Sequence, residues 1–255
     1  MVVPLKYREA ASACTGSDAL CAGSAGMHGN IRQRMFDARL RMRGVGLTGG
    51  TAMEKEIIFV ILDKYPDWEG AYAAYAITTY SQGTYMVKTA SITKDPVISA
   101  GGFTARPNYG IAEIPKNYAG IILVGGTGWA ADRESAEKFA PIVMECAEEH
   151  RLLGGICGGA DFLAKCGVLN NVYHTGNSLK ELERYAGSAY TGSDMFQRAQ
   201  AVRDGQIVTA NSSAALEFAR AIMSALSDVN TTGVDAWFKM QETGVAGRQP
   251  ATMAV

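Results

Sequence analysis

Leu152-Leu153-Gly154-Gly155-Ile156-Cys157-Gly158-Gly159-Ala160-Asp161-Phe162-Leu163 is the stretch that decides the fold. A short apolar run ends in Gly155-Ile156-Cys157-Gly158-Gly159, and a helical pattern (Ala160, Phe162, Leu163, Ala164) begins at once. The spacing is that of a G-x-S-x-G nucleophile elbow with sulfur in place of the hydroxyl. Such a turn is sharp and strained, so its flanking residues must be small for strand and helix to pass closely. It lifts the nucleophile to the end of a sheet and to the N-terminus of the next helix. There the dipole and free N–H groups favour an anion, which predicts a lowered thiol pKa. The competing reading is a buried cysteine beside a glycine turn, since free cysteine is often a small core hydrophobe.

On either side of the elbow, strands and helices alternate. Ile57-Ile58-Phe59-Val60-Ile61-Leu62 is a continuous apolar run, as expected of a strand buried on both faces. Asp67 is placed to cap a helix through Trp68, Tyr72, Tyr75 and Ala76. Thr84 to Thr93 alternates as a strand, and Gly101-Gly102 marks a short hairpin or crossover. Tyr118 to Val124 is a second buried strand ending in Gly125-Gly126-Thr127-Gly128-Trp129. Asp132 caps a helix carrying Ala136, Phe139, Ile142, Val143 and Ala147. Ser178-Leu179-Lys180-Glu181 reads as a capping box, Asp204-Gly205 as a hairpin turn, and Ser213 to Leu226 as an amphipathic helix. This order predicts an α/β fold: a flavodoxin-like, doubly wound, mostly parallel sheet sandwiched by helices. Ligands in such sheets bind beyond the carboxyl ends of the strands. The loop to Glu69, Gly125-Gly126 and Cys157 therefore converge.

The chain has 255 residues, 47% hydrophobic and 19% charged, with a formal net charge of -1. That composition describes a soluble globular protein and gives no electrostatic footprint for nucleic acid. No apolar run approaches the roughly 18 residues of a membrane span. The five cysteines are Cys14, Cys21, Cys146, Cys157 and Cys166; their odd number and spacing fit neither a disulfide framework nor a zinc site. Free thiols point to a reducing, cytoplasmic compartment. The three histidines are His28, His150 and His174. There is no Gly-x-Gly-x-x-Gly after a strand, no phosphate loop and no ligand cluster, so neither cofactor nor metal is implied. Residues 1–52, with clustered small residues and a basic run from Arg32 to Arg43, read as a disordered extension or a mis-assigned start. The compact domain is expected over 53–228. In 229–255, Trp237, Phe238 and Met240 suggest one short docked helix before a loose tail.

At this point the chain resembles the ThiJ/PfpI superfamily, relatives of the Parkinson-associated deglycase/chaperone on a class I glutamine amidotransferase-like fold. The resemblance covers about Lys55 to Leu226. It rests on the segment from Phe59 to Glu69, on Ile122-Leu123-Val124-Gly125-Gly126 and on Gly155-Ile156-Cys157-Gly158-Gly159. It continues through His174-Thr175-Gly176-Asn177 and ends with Val208-Thr209-Ala210-Asn211 before Ala215-Leu216-Glu217-Phe218-Ala219. The likeness is greatest to small bacterial members labelled as proteases or type 1 glutamine amidotransferases.

The resemblance implies that Glu69 hydrogen-bonds the elbow cysteine, although a glutamate in a first helical turn is also favoured by the dipole alone. It aligns Gly125 and Gly126 with backbone donors facing the sulfur, so that the amides of Gly126, Thr127 and Gly158 could form an oxyanion hole. Trp129 is either a pocket wall or a packed aromatic. The family's proteases carry histidine where this chain has Gly158. The amidotransferases' late His-x-Glu pair is absent from Asn211 to Glu217. In the deglycase relatives a histidine follows the strand after the elbow helix; His174 lies about three residues early, and Asn177 is nearer the matched place. Asp161, one turn beyond Cys157, either binds a polar ligand or satisfies nearby N–H groups, and Cys166 is structural. The expected function is a cysteine-dependent hydrolase or lyase acting on a small electrophilic carbonyl or amide substrate through Cys157, Glu69 and, if it reaches, His174. The alternatives are a redox-sensing stress protein with an oxidisable Cys157 and a catalytically silent binding module. The family resemblance also implies a homodimer.

Overall fold

The computed structural model describes residues 55–244, so the expected extension over 1–52 and the last residues of the tail lie outside the described residues. Strand β1 (Lys55–Val60) leads to helix α1 (Asp67–Tyr80) and strand β2 (Tyr85–Ser91). The two-residue strands β3 (Val97–Ile98), β4 (Thr104–Ala105) and β5 (Tyr109–Gly110) follow, then β6 (Gly120–Leu123). Helices α2 (Gly128–Ala131), α3 (Arg133–Glu137) and α4 (Ala140–Glu148) precede β7 (Leu152–Ile156) and the elbow helix α5 (Gly158–Lys165). Helix α6 (Leu179–Ala186), the hairpin β8 (Ala201–Asp204) and β9 (Ile207–Ala210), and helices α7 (Ala215–Ala225) and α8 (Thr231–Thr243) complete the chain.

The main sheet has seven strands in the order β5-β2-β1-β6-β7-β9-β8, and only the β8–β9 pair is antiparallel. The apolar run at β1 is uninterrupted because alternate residues enter different cores. Ile57 and Phe59 pack with Ile77, Phe218 and Ile222 on the side of α1 and α7. Ile58 and Val60 pack with Ile121, Phe139 and Leu163 on the opposite side. After β1 the chain builds outward through β2 and then returns to add β6 on the other side. The carboxyl ends of β1, β6 and β7 therefore surround the point where the winding reverses, which is where such folds place ligands.

Several local expectations are corrected. Asp67 is the first residue of α1 rather than its cap; Pro66 holds the cap position. The Asp67 carboxylate instead accepts the N–H of Gly101 at 2.8 Å. Gly101-Gly102 lies in the β3–β4 hairpin, which also receives the N–H of Lys64 at Ile98 O (2.7 Å) and gives the N–H of Ala100 to Tyr65 O (2.8 Å). This small hairpin thus braces the loop that delivers Glu69. Asp132 caps its helix through Ser135 N at 3.1 Å, but the expected single helix is split into α3 and α4. Pro141 has no N–H to continue the ladder and its ring crowds the preceding turn, so the helix must restart there. The last hairpin turns at Gly205-Gln206, one residue later than expected. The docked helix expected around Trp237 and Phe238 is α8: Val234, Trp237 and Phe238 are buried, and the Trp237 ring lies 6.0 Å from that of Tyr72 and 5.7 Å from that of Tyr75.

Candidate active site

Cys157 connects β7 to α5 with φ 55° and ψ -126°. A positive φ in a residue with a Cβ costs on the order of 1–3 kcal/mol and persists only where the surroundings impose it. They do so here. Its N–H donates to Ala210 O of the neighbouring strand at 3.0 Å, and its carbonyl accepts the N–H of Ala160 at 2.9 Å. The elbow is therefore clamped between the sheet and the first turn of α5. A Cβ on Gly158 would approach Gly126 O to 2.8 Å and the Trp129 ring to 3.3 Å. This position cannot carry the histidine that the superfamily's proteases place there without the neighbouring backbone moving.

Glu69 enters from the first turn of α1 and is fully buried. Its Oε2 accepts the N–H of Gly125 at 2.9 Å. Its Oε1 is buried without a well-formed hydrogen bond, and the Cys157 thiol is the side-chain donor that acts on the carboxylate. Gly125 must lack a side chain, because a Cβ there would overlap the Glu69 carboxylate and approach Cys157 Cβ to 2.6 Å. Burial pushes the Glu69 carboxyl up to about 7, against the opposing hydrogen bonds from Cys157 and Gly125. A carboxyl so placed can take up or release a proton near neutrality, which a solvent-exposed partner of the helix dipole would not do.

Three donors face the sulfur. Asn177 Nδ2 lies 3.4 Å from Cys157 Sγ, and the backbone amides of Gly126 and Gly158 face it closely enough to favour the thiolate. Asn177 is held with its Nδ2 inward because its Oδ1 accepts the N–H of Ser212 at 2.9 Å. The Ser212 carbonyl in turn receives Trp68 Nε1 at 3.3 Å. The expectation of a lowered thiol pKa is corrected. Burial pushes the thiol above its ordinary value, the Asn177 hydrogen bond pulls it back, and the negative charge of Glu69 raises it again. The dipole and the amide donors are too weak to outweigh removal of the sulfur from water beside a carboxylate.

His174 is not brought to Cys157. Its ring is fully buried, with Nδ1 2.8 Å from Val172 O and Nε2 2.7 Å from Tyr190 Oη, and it packs edge-on to Tyr190 and Phe196. Burial lowers its pKa, so it is a neutral core histidine with both nitrogens occupied. Trp129 is likewise core rather than pocket wall. It is 1% exposed, donates Nε1–H to Val124 O at 2.7 Å and stacks on Phe162 at 4.7 Å. Thr127 lines a different cavity, with Asp63, Ser91 and Ser135, and is not among the groups bonded to the sulfur. Asp161 satisfies no nearby N–H with Oδ1, which is buried and unpartnered; burial, then the charge of Glu181, pushes it up to about 7. Cys146 and Cys166 are each pushed up to about 12, chiefly by burial. Among the described residues, no three His, Cys, Asp or Glu side chains cluster as a metal site would require, and no helix is long and apolar enough to cross a membrane.

Sequence reasoning missed Ser212, which acts through its backbone N–H and therefore leaves no trace in residue type. It also missed Trp68, for which the adjacent Glu69 offered only a weak hint.

Comparison with known proteins shows the family and the fold. The sequence pattern of the DJ-1/PfpI family matches residues 55–225. A Bacillus subtilis protein named "Uncharacterized protease YdeA" is 35% identical over 191 residues, covering 74% of this chain and 92% of that protein. The crystal structure of a DJ-1 superfamily protein from Agrobacterium tumefaciens superposes with a TM-score of 0.67 at 29% identity, covering 74% of this chain and 98% of the other. A thiJ/pfpI family protein from Bacillus anthracis shares the fold with a TM-score of 0.70 at 22% identity, covering 76% of this chain and 93% of the other.

Proposed function

The chain belongs to the DJ-1/PfpI family, and from that premise we propose that it is an enzyme whose Cys157 adds to a small electrophilic carbonyl or amide, with Glu69 carrying the proton. The observation that carries this reading is the buried Glu69 carboxyl, poised near 7 against a thiol on a strained elbow. A thiol above its ordinary pKa needs a base at the moment of attack, and Glu69 is the base in contact with it.

For a carbonyl substrate, the Glu69 carboxylate takes the thiol proton as the sulfur–carbon bond forms. The carbonyl π electrons move onto oxygen, where the Gly126 and Gly158 amides are the backbone donors at hand. Glu69 then returns the same proton to that oxygen, leaving a neutral thiohemiacetal and a carboxylate ready for the next transfer. For an amide, the departing nitrogen must receive a proton before the carbon–nitrogen bond breaks. Among the described residues only Glu69 is placed to supply it, which favours small activated amides over peptides. "Protease" in the name of the Bacillus subtilis relative stays with that protein.

The test is a turnover screen of small aldehydes, ketones and amides with the wild type, Cys157→Ser and Glu69→Gln. Turnover that falls at least about 100-fold in both variants supports the proposal, that being the usual scale for loss of a general acid–base group. Absence of turnover with every substrate, together with clean conversion of Cys157 to the sulfinate by dilute peroxide, would replace it with a sensing role.

A further inference from the structure

On the far side of Asn177 from the sulfur lies a cavity of about 790 Å³ that the reactions above leave unexplained. Its walls include Asn177, Lys180, Glu183, Arg198, Gln200 and Asn211. Cys157 is not itself in the wall, but two wall residues connect the cavity to it. Asn177 touches the sulfur, and Asn211 follows Ala210, whose carbonyl receives the Cys157 N–H. The cavity therefore lies at the carboxyl end of β9, with the Asn177 side chain between it and the sulfur.

Its charge is the informative feature. Lys180 and Arg198 both line it, and among the described residues neither forms an ion pair or lies over an aromatic ring. The single carboxylate in the wall, Glu183, has Oε1 engaged by Ser193 Oγ at 3.2 Å. Two unpaired cations against one tethered carboxylate leave the cavity with a positive excess. A concave wall strengthens such a field relative to flat surface. The start of α6, from which Lys180 projects, adds the same sign. A neutral substrate would make no use of this arrangement.

We infer that the cavity receives the anionic end of the substrate, a carboxylate or phosphate gripped by Lys180 and Arg198 while the electrophilic carbon lies at Cys157. This rests on the reading of Cys157 as the nucleophile, and the substrate class becomes small carbonyl compounds that carry an oxyanion group.

Two readouts test it. The first needs no turnover: rate constants for alkylation of Cys157 by iodoacetate and by iodoacetamide, followed by peptide mass analysis. The iodoacetate-to-iodoacetamide ratio should fall about tenfold in Lys180→Gln/Arg198→Gln, the effect of losing two partly screened charges. It should fall similarly in the wild type at high salt. An unchanged ratio overturns the inference. The second compares matched substrates, glyoxal with glyoxylate and glyceraldehyde with glyceraldehyde 3-phosphate. A lower KM for either anion, lost in the double variant, supports the inference and shows whether carboxylate or phosphate is preferred. Equal KM values within both pairs overturn it. If no compound is turned over, the enzymatic reading fails while the labelling ratio still decides the cavity. If Cys157 resists both reagents, saturation-transfer NMR with glyoxylate and glyceraldehyde 3-phosphate decides instead: binding lost in the double variant supports the cation pair, and no binding to the wild type overturns it.

Discussion

Asn177 donates its side-chain amide to the sulfur of Cys157 at 3.4 Å, and the N–H of Ser212 holds the amide in that orientation at 2.9 Å. Asn177 lies nearest the place where related deglycases carry a histidine. Among the described residues the sulfur therefore has a fixed donor, and Glu69 is the titratable group acting on it.

Asn177→Asp should slow alkylation of Cys157 by iodoacetamide near pH 7 by about tenfold or more. It replaces a donor with a negative charge beside a sulfur already facing Glu69, and like charges raise a thiol's pKa. Asn177→Ala should show a smaller loss. Rate–pH profiles for the three proteins decide it; superimposable curves would mean that the 3.4 Å contact does not stabilise the thiolate.

Stability should fall as pH rises toward neutrality, because of Glu69. Burial pushes its carboxyl up to about 7, whereas an unfolded chain titrates near ~4.3. The folded state binds this proton more tightly, so the contribution is complete below the unfolded value and is lost as pH rises through about 7. The loss is on the order of 3 kcal/mol. Urea unfolding from about pH 4 to 8 should show a shallower slope in Glu69→Gln. Asp161, also pushed up to about 7, has the same sign, so adding Asp161→Asn should flatten the curve further.

His174→Ala should destabilise the protein by about 2–4 kcal/mol, leaving a cavity and an unpartnered Tyr190 hydroxyl in the core. It should not move the pH profile of Cys157 alkylation, since both ring nitrogens are committed elsewhere. A profile shift in a variant that remains folded would return His174 to the site.

Of the three described cysteines, Cys157 should be carbamidomethylated first under substoichiometric iodoacetamide. Cys146 and Cys166 are held at about 12, Cys146 behind a fully closed core. Peptide mapping at low conversion reads the order directly, and faster labelling of Cys166 would remove the special standing of the elbow.

Casein and short fluorogenic peptides should be cleaved at no more than background rates, with Cys157→Ala as the contaminant control. Expulsion of a peptide amine needs a well-placed acid, and Gly158 and His174 both fail to provide one. Robust Cys157-dependent cleavage would mean that Glu69 serves as that acid even for peptides, or that a group from outside the described residues does.

The alternation of apolar runs with helical patterns, and the glycines around Cys157, were sufficient to predict a doubly wound sheet with a cysteine elbow. These are local properties: burial on both faces writes itself into a strand as unbroken hydrophobicity, and a strained turn excludes Cβ atoms at its flanks. The winding brings the loop after β1 to the elbow, but Glu69 itself is singled out by the family resemblance, since a first-turn glutamate is equally favoured by the helix dipole. Tertiary packing decided the rest. His174 and Asn177 are three residues apart in one segment, and residue type alone favours the histidine. The segment nevertheless directs His174 inward to Tyr190 and Asn177 outward to the sulfur, with Ser212 from beyond β9 setting the amide's direction. The same holds for the thiol. A helix N-terminus is visible in the sequence, but the burial and the neighbouring carboxylate that raise its pKa exist only once α1, β6 and β7 are assembled, because desolvation belongs to the whole enclosure and not to any one segment.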